Sequence, residues 1–234
     1  AGTYQWTKTI DGSGTIIANA VAFDASHNIY LLGSISGSAD FDPDIGTDVQ
    51  AATGDYEYFL SKYDVSGNYE WTKMPDGSGA PGDETYSSSL AIDSSNNIYI
   101  AGYFNGTNDF DPSGGVDTYS SSGDYDLFLS KYNSSGTYQW TKTADSEDMG
   151  TESVNSIAID SSDNVYIAGY FNGTVDFDPD GSGDVHVSAG DTDIFLSKYN
   201  SSGTYQWTKT AGDTGTDSIN SIAVDSSDSV YVGG

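Results

Sequence analysis

Apolar positions fall in short runs of four to seven residues, separated by stretches of Asp, Ser, Asn, Gly and Thr. From Ser156 to Asp160 the chain reads Ser-Ile-Ala-Ile-Asp, and Ser161-Ser162-Asp163-Asn164 then turns it into Val165-Tyr166-Ile167-Ala168-Gly169-Tyr170-Phe171. A long polar stretch leads to Ile194–Tyr199, and Asn200-Ser201-Ser202-Gly203 delivers Tyr205-Gln206-Trp207-Thr208-Lys209. Runs this short, rich in β-branched and aromatic residues and bounded by turn formers, are strands. No i, i+3, i+4 periodicity occurs anywhere. The pattern predicts strands near 156–160, 165–171, 194–199 and 204–209, forming a four-stranded antiparallel meander.

The meander recurs. Tyr4-Gln5-Trp6-Thr7-Lys8 returns as Tyr69–Lys73, Tyr138–Lys142 and Tyr205–Lys209, so the tryptophans lie 65, 69 and 67 residues apart. A fixed long period denotes one supersecondary unit whose apolar faces are buried by its neighbours. Four-stranded sheets repeated at this interval predict an all-β, β-propeller-type fold of about 3.75 blades. The units are 17–74, 88–143 and 155–210, with a partial blade at 219–234 and an outer strand at 2–9. Ala-rich first strands suit the crowded inner position, and the Trp strands suit the outer edge. A β-solenoid is the structural rival, although its coils are usually shorter.

Ser-Ile-Ala-Ile-Asp-Ser-Ser-Asp-Asn-Val-Tyr-Ile-Ala-Gly at 156–169, Gly173–Pro179, Asp193–Tyr199 and Gly203–Trp207 resemble the SBBP family of β-propeller repeats. The resemblance covers nearly the whole chain and implies blades of secreted and surface proteins of bacteria. It defines a repeat and not a reaction. The chain opens inside one unit and stops inside another, which leaves three readings. It is a piece of a longer array, a protomer completed by strands of its neighbours, or a small propeller with an odd last blade. Open strand edges favour pairing with other copies or further repeats.

Charge narrows the partners. Against 35 acidic residues stand 7 basic ones, all Lys, for a net charge of −28. Nucleic acid and anionic membranes demand the opposite sign, so neither nucleic-acid binding nor membrane insertion is expected. No cysteine is present, which removes disulfides, thiolate catalysis and Cys-based zinc sites. No apolar run reaches the roughly 18 residues that span a bilayer. The resemblance to SBBP repeats implies an extracellular or cell-surface location.

One loop repeats with chemistry in it. Its copies are Asp40-Phe41-Asp42-Pro43-Asp44-Ile45-Gly46-Thr47-Asp48, Asp109-Phe110-Asp111-Pro112-Ser113-Gly114-Gly115-Val116-Asp117 and Asp176-Phe177-Asp178-Pro179-Asp180-Gly181-Ser182-Gly183-Asp184. Oxygens at positions 1, 3 and 5 converge on a hard cation such as Ca²⁺ when glycine lets the backbone wrap, and position 7 adds a carbonyl. The spacing is similar to the calcium loops of FG-GAP propellers. That likeness implies ligands at Asp176, Asp178, Asp180, Ser182 and Asp184, at Asp40, Asp42, Asp44 and Asp48, and at Asp109, Asp111, Ser113 and Asp117. Ile45 and Ser113 depart from the pattern, and no copy has the bidentate Glu of an EF-hand. The same residues also read as strand ends with a buried Phe, whose carboxylates bind nearby backbone N–H groups as Asx turns.

Asn105, Asn133, Asn172 and Asn200 fit the N-x-S/T glycan acceptor pattern, and all lie in predicted turns. His27 takes the turn position of Asn96, Asp163 and Asp228, and His186 lies in a long loop, so neither suggests a triad. Most aromatics recur at equivalent places, as blade packing requires. Near-identical blades supply the same groups repeatedly, whereas catalysis needs unlike groups in unlike roles. The reading is therefore a non-enzymatic structural, assembly or adhesion module in a larger array, appendage or filament, stabilised by calcium. A lectin-like module binding surface glycans is the first alternative. A propeller glycosidase or lyase is the second, drawing on the acids that break the repeat: Glu57, Glu70, Glu84, Glu147 and Glu152. Unlike polar residues gathered at one mouth would separate these readings.

Overall fold

The computed structural model describes residues 2–77, 80, 82–146, 150–178 and 183–234, and these contain strands and no helix. Blade one consists of Ile16–Phe23, Ile29–Ile35, Glu57–Tyr63 and Tyr69–Lys73. Blade two follows with Glu84–Ile92, Ile98–Asn105, Asp126–Tyr132 and Tyr138–Thr143, and blade three with Glu152–Ile159, Val165–Phe171, Asp193–Tyr199 and Tyr205–Ala211. Each is an antiparallel sheet whose strands lie in chain order, and a two-stranded sheet, Ser221–Val224 with Val230–Gly233, ends the chain. The four predicted strand runs of blade three are all present, the first beginning earlier, at Glu152.

Local chemistry sets each hairpin. The Asp24 carboxylate accepts the N–H groups of Ser26 and Asn28, the Asn28 amide and the Tyr30 hydroxyl. Asp93, Asp160 and Asp225 hold their turns through the same i+2, i+4 and i+6 contacts. His27, Asn96, Asp163 and Asp228 share a positive φ of 61–63°, the left-handed conformation that the turn requires. Further along the first strand a β-bulge presses the backbone against its partner. A β-carbon on Gly102 would lie 1.9 Å from the Tyr86 carbonyl oxygen, so only glycine fits there.

Blades stack face to face. Leu90, Ile98, Ile100 and Phe128 of blade two bury against Tyr30, Leu32, Tyr58 and Leu60 of blade one. Tyr99, Ala101 and Leu129 meet Val154, Ile157 and Ile167 of blade three in the same way. Three polar latches join neighbours at the turns. Asp163 accepts the Ser94 N–H at 3.0 Å and its hydroxyl at 2.8 Å, Asp228 does the same for Ser161, and Asn96 accepts the Ala25 N–H. Among the described residues, strong contacts between blades run only between successive sheets. Val21 is consequently 56% exposed, whereas its counterparts Leu90 and Ile157 are 9% and 7% exposed. At the other end Tyr231 is 61% exposed although Tyr30, Tyr99 and Tyr166 are buried.

Two elements differ from the sequence expectation. The stretch between second and third strands holds a hairpin in every blade: Ser38–Asp40 with Val49–Ala51, Thr107–Asp109 with Thr118–Ser120, and Thr174–Asp176 with Val185–Val187. A strand from the preceding connection, Asp11–Ser13, Asp76–Gly77 or Asp145–Ser146, completes each into a three-stranded side sheet. Strands of two or three residues carry too little apolar alternation to register as periodicity. The second difference is the outer strand expected at 2–9, where residues 2–10 form no ladder. Trp6 nevertheless rests on Gly67, the place that a preceding blade's tryptophan would take.

Candidate functional site: the aspartate loops and the cleft between blades one and two

Each side hairpin ends in an aspartate loop. Asp40 Oδ1 accepts the N–H groups of Asp42 and Asp48 at 3.1 and 2.9 Å, and Asp109 and Asp176 hold their loops identically. Asp42 Oδ1 accepts the Asp44 N–H and Asp111 Oδ1 that of Ser113. The last acid of each copy faces the outer strand, where Asp48, Asp117 and Asp184 accept hydrogen bonds from the hydroxyls of Tyr69, Tyr138 and Tyr205. Burial and these carboxylates push all three tyrosines up. Burial raises the Asp184 carboxyl, but Tyr205 and the His186 ring 3.2 Å away hold it below the usual range. Phe41, Phe110 and Phe177, between the first two acids, are fully buried. The first acid of each copy thus forms an Asx turn beside a core Phe, and the ninth bonds to an outer-strand Tyr.

Asp44 pairs with Lys8. Gly46 and Gly115 at position 7 leave room for the carboxylates of Asp42 and Asp111, which a β-carbon there would meet at 1.8 and 2.0 Å. Among the described residues no three acidic or histidine side chains gather as a metal-holding group. Asp180 and Ser182, and likewise Glu147, lie outside the described residues. Asn105 and Asn172 donate their amides to the carbonyls of Asp124 and Asp191, while Asn133 and Asn200 cap turns through Oδ1.

The acids that break the repeat separate into different roles. Glu57, Asp126 and Asp193 are equivalent, buried at the start of the third strands. Glu57 Oε1 accepts the N–H groups of Thr53, Gly54 and Gly77. Asp126 accepts the Ser122 N–H and faces Glu152 of blade three, and burial pushes its carboxyl up to about 6. Glu70 pairs with Lys62 at 2.9 Å. Glu84 instead sits among tyrosines, accepting the hydroxyls of Tyr86 at 3.3 Å and Tyr125 at 2.6 Å. That bond and burial push Tyr125 up to about 12.

Beside Tyr86 opens a cleft of about 410 Å³ between blades one and two, lined by Ile17, Ala18, Asn19, Ser34, Tyr86, Ser87, Ser88 and Tyr103. Only a comparison of each blade with the others could have revealed it in the sequence, because none of its residues forms a local motif.

Residues 78–111 match the family model of the SBBP beta-propeller repeat, a span that contains the first two strands of blade two and ends on the second acid of its loop. The chain is also 31% identical over 168 residues to an uncharacterized WD repeat-containing protein of Acanthamoeba polyphaga mimivirus, covering 62% of this chain and 12% of that protein. It thus spans about an eighth of that relative's length. With its stacked four-stranded sheets, the chain is a β-propeller-type repeat module.

Proposed function

We propose that the chain is a non-enzymatic module of an extracellular or cell-surface array, serving structure, assembly or adhesion, with Ca²⁺ stiffening its aspartate loops. The observation that carries this reading is the pair of open faces. Val21 on one side and Tyr231 on the other occupy positions that are buried wherever two blades meet, and Phe23, exposed beside Val21, matches Ile92 and Ile159, which pack partly buried there. Surfaces of one blade type are complementary by construction, so a further repeat or another copy fits each of them. SBBP-like repeats in bacterial surface proteins support the location.

Calcium is supported by like charges. Asp11, Asp76 and Asp145 lie directly across the side sheets from Asp40, Asp109 and Asp176, a destabilising arrangement that a bound cation relieves. All 7 lysines belong to the repeated third- and fourth-strand phrases, which leaves the loops few basic neighbours.

Sedimentation velocity across a concentration series tests the assembly reading. Head-to-tail oligomers that Phe23→Asp and Tyr231→Asp each abolish are expected. A chain that stays monomeric at every concentration would remove assembly between copies.

A further inference from the structure

The cleft between blades one and two sits where the repeat breaks most sharply. Pairing with the second strands aligns the blade openings residue for residue. Blade one reads Thr15-Ile16-Ile17-Ala18-Asn19, blade three Thr151-Glu152-Ser153-Val154-Asn155, and the last sheet is preceded by Thr216-Asp217-Ser218-Ile219-Asn220. Blade two reads Glu84-Thr85-Tyr86-Ser87-Ser88. Thr becomes Glu, a small or aliphatic residue becomes Tyr, an aliphatic becomes Ser, and the recurrent Asn becomes Ser.

The fold does not need these changes. Asn19 joins blade one to blade two by donating to the Ser87 carbonyl at 2.7 Å, and Asn155 joins blade three to the last sheet through the Ile219 carbonyl at 2.8 Å. Interfaces close perfectly well with Ser153 and Ser218 at the position of Tyr86. Tyrosines required for packing, such as Tyr30 and Tyr99, recur in every blade and are fully buried. Tyr86 does not recur and is only partly buried.

Tyr86 is also part of a locked aromatic row. Its ring lies 5.4 Å from Tyr56 and 5.3 Å from Tyr103, tilted by 30° and 33°, and Tyr103 meets Tyr125 edge-on at 5.4 Å. Glu84, bound to the hydroxyls of Tyr86 and Tyr125, fixes the row from behind. Rings held this way contribute contact area to a ligand without losing rotamer freedom. Hydroxyl and amide groups of Ser34, Ser87, Ser88 and Asn19 complete the wall, and no charged side chain lines it.

An apolar ring face beside uncharged hydrogen-bonding groups matches a pyranose, which presents C–H bonds on one face and hydroxyls at its rim. We propose that this cleft binds a neutral saccharide, with Tyr86 and Tyr103 against the sugar face and Asn19, Ser34 and Ser88 at its hydroxyls. The chain's net charge of −28 selects against acidic sugars. The site is independent of array assembly, since both of its walls belong to one chain.

Isothermal titration and saturation-transfer NMR with trisaccharides of glucose, galactose, mannose and N-acetylglucosamine, and of galacturonic acid, test the proposal. Saturable binding of at least one neutral trisaccharide is expected, with none for the acidic one. Tyr86→Ser, which installs the residue of blade three, should weaken binding at least tenfold while the far-UV circular dichroism stays unchanged. Tyr103→Ser, the residue of blade one, should act likewise and serves if the first variant misfolds. Absence of saturable binding by the unaltered chain, preference for the acidic sugar, or binding that survives both substitutions would each overturn it.

Discussion

Trp71 and Gly136 meet across the boundary of blades one and two, where a β-carbon on Gly136 would lie 3.0 Å from the indole Cε2. Trp6 with Gly67 and Trp140 with Gly203 repeat the contact at 3.1 and 2.9 Å. Gly136 also has a φ of +76°. Gly136→Ala therefore meets backbone strain and overpacking together, and should lower stability by about 2–4 kcal/mol in urea denaturation. In a Trp71→Ala background the same change should cost only about 1–2 kcal/mol, the backbone part alone.

A hydroxyl pair bridges the third and fourth strands of each blade: Ser61 with Thr72, Ser130 with Thr141, and Ser197 with Thr208, at 2.7–2.8 Å. Ser130→Ala strands a buried hydroxyl and should cost about 1–3 kcal/mol. The double change Ser130→Ala with Thr141→Val removes both partners and should recover most of that loss in thermal denaturation.

The latch from Asp163 to Ser94 combines a positive φ with two hydrogen bonds. Asp163→Gly removes the bonds and keeps the turn, whereas Asp163→Ala loses both. Alanine should be the worse substitution by about 1 kcal/mol. Equal melting temperatures would show that the backbone conformation carries no cost.

Asp126 makes part of the stability pH-dependent. Its folded pKa of about 6 exceeds the roughly 3.9 of an unfolded Asp, so the folded state binds this proton more tightly. The resulting stabilisation is complete below about pH 4 and disappears as pH rises through about 6. Asp24, Asp160 and Asp184 are lowered and act oppositely, losing their stabilisation as pH falls below the ordinary carboxylate range. Asp126→Asn isolates the first effect. Relative to that variant, the unaltered chain should lose roughly 2–3 kcal/mol between pH 4 and pH 7.

Calorimetry with CaCl₂ and with chelator tests the aspartate loops. If they hold Ca²⁺, millimolar calcium should raise the melting temperature by mass action, and Asp176→Asn should reduce that rise. Identical melting curves in both buffers would leave the carboxylates with their turn-forming role alone.

Trp6, Trp71, Trp140 and Trp207 made the blades legible, because the last three mark outer strands and the intervals between all four fix the period. Asp24, Asp93, Asp160 and Asp225 likewise announce the hairpins, since the side chain that binds the turn backbone is itself the signal. Side sheets such as Asp76–Gly77 with Thr107–Asp109 escaped notice, being two or three residues long and closed by tertiary pairing. The aspartate loops showed their spacing but not their direction. Whether Asp48 faces a loop centre or Tyr69 depends on an outer strand 21 residues away. Glu84 stood out as an acid that breaks the repeat. Its setting emerged only when Tyr86 from the same strand and Tyr125 from a later strand were brought to it.

The latches have a direction. Asp163 reaches back to Ser94 and Asp228 back to Ser161, so these two carboxylates point towards the chain segment that is synthesised earlier. Trp71 similarly waits for Gly136, which emerges later. A nascent chain can therefore dock each new sheet onto a finished one without waiting for distant residues, and the newest face is bare only until the next sheet arrives. Each added unit then repeats the same local docking step instead of lengthening the reach of any contact.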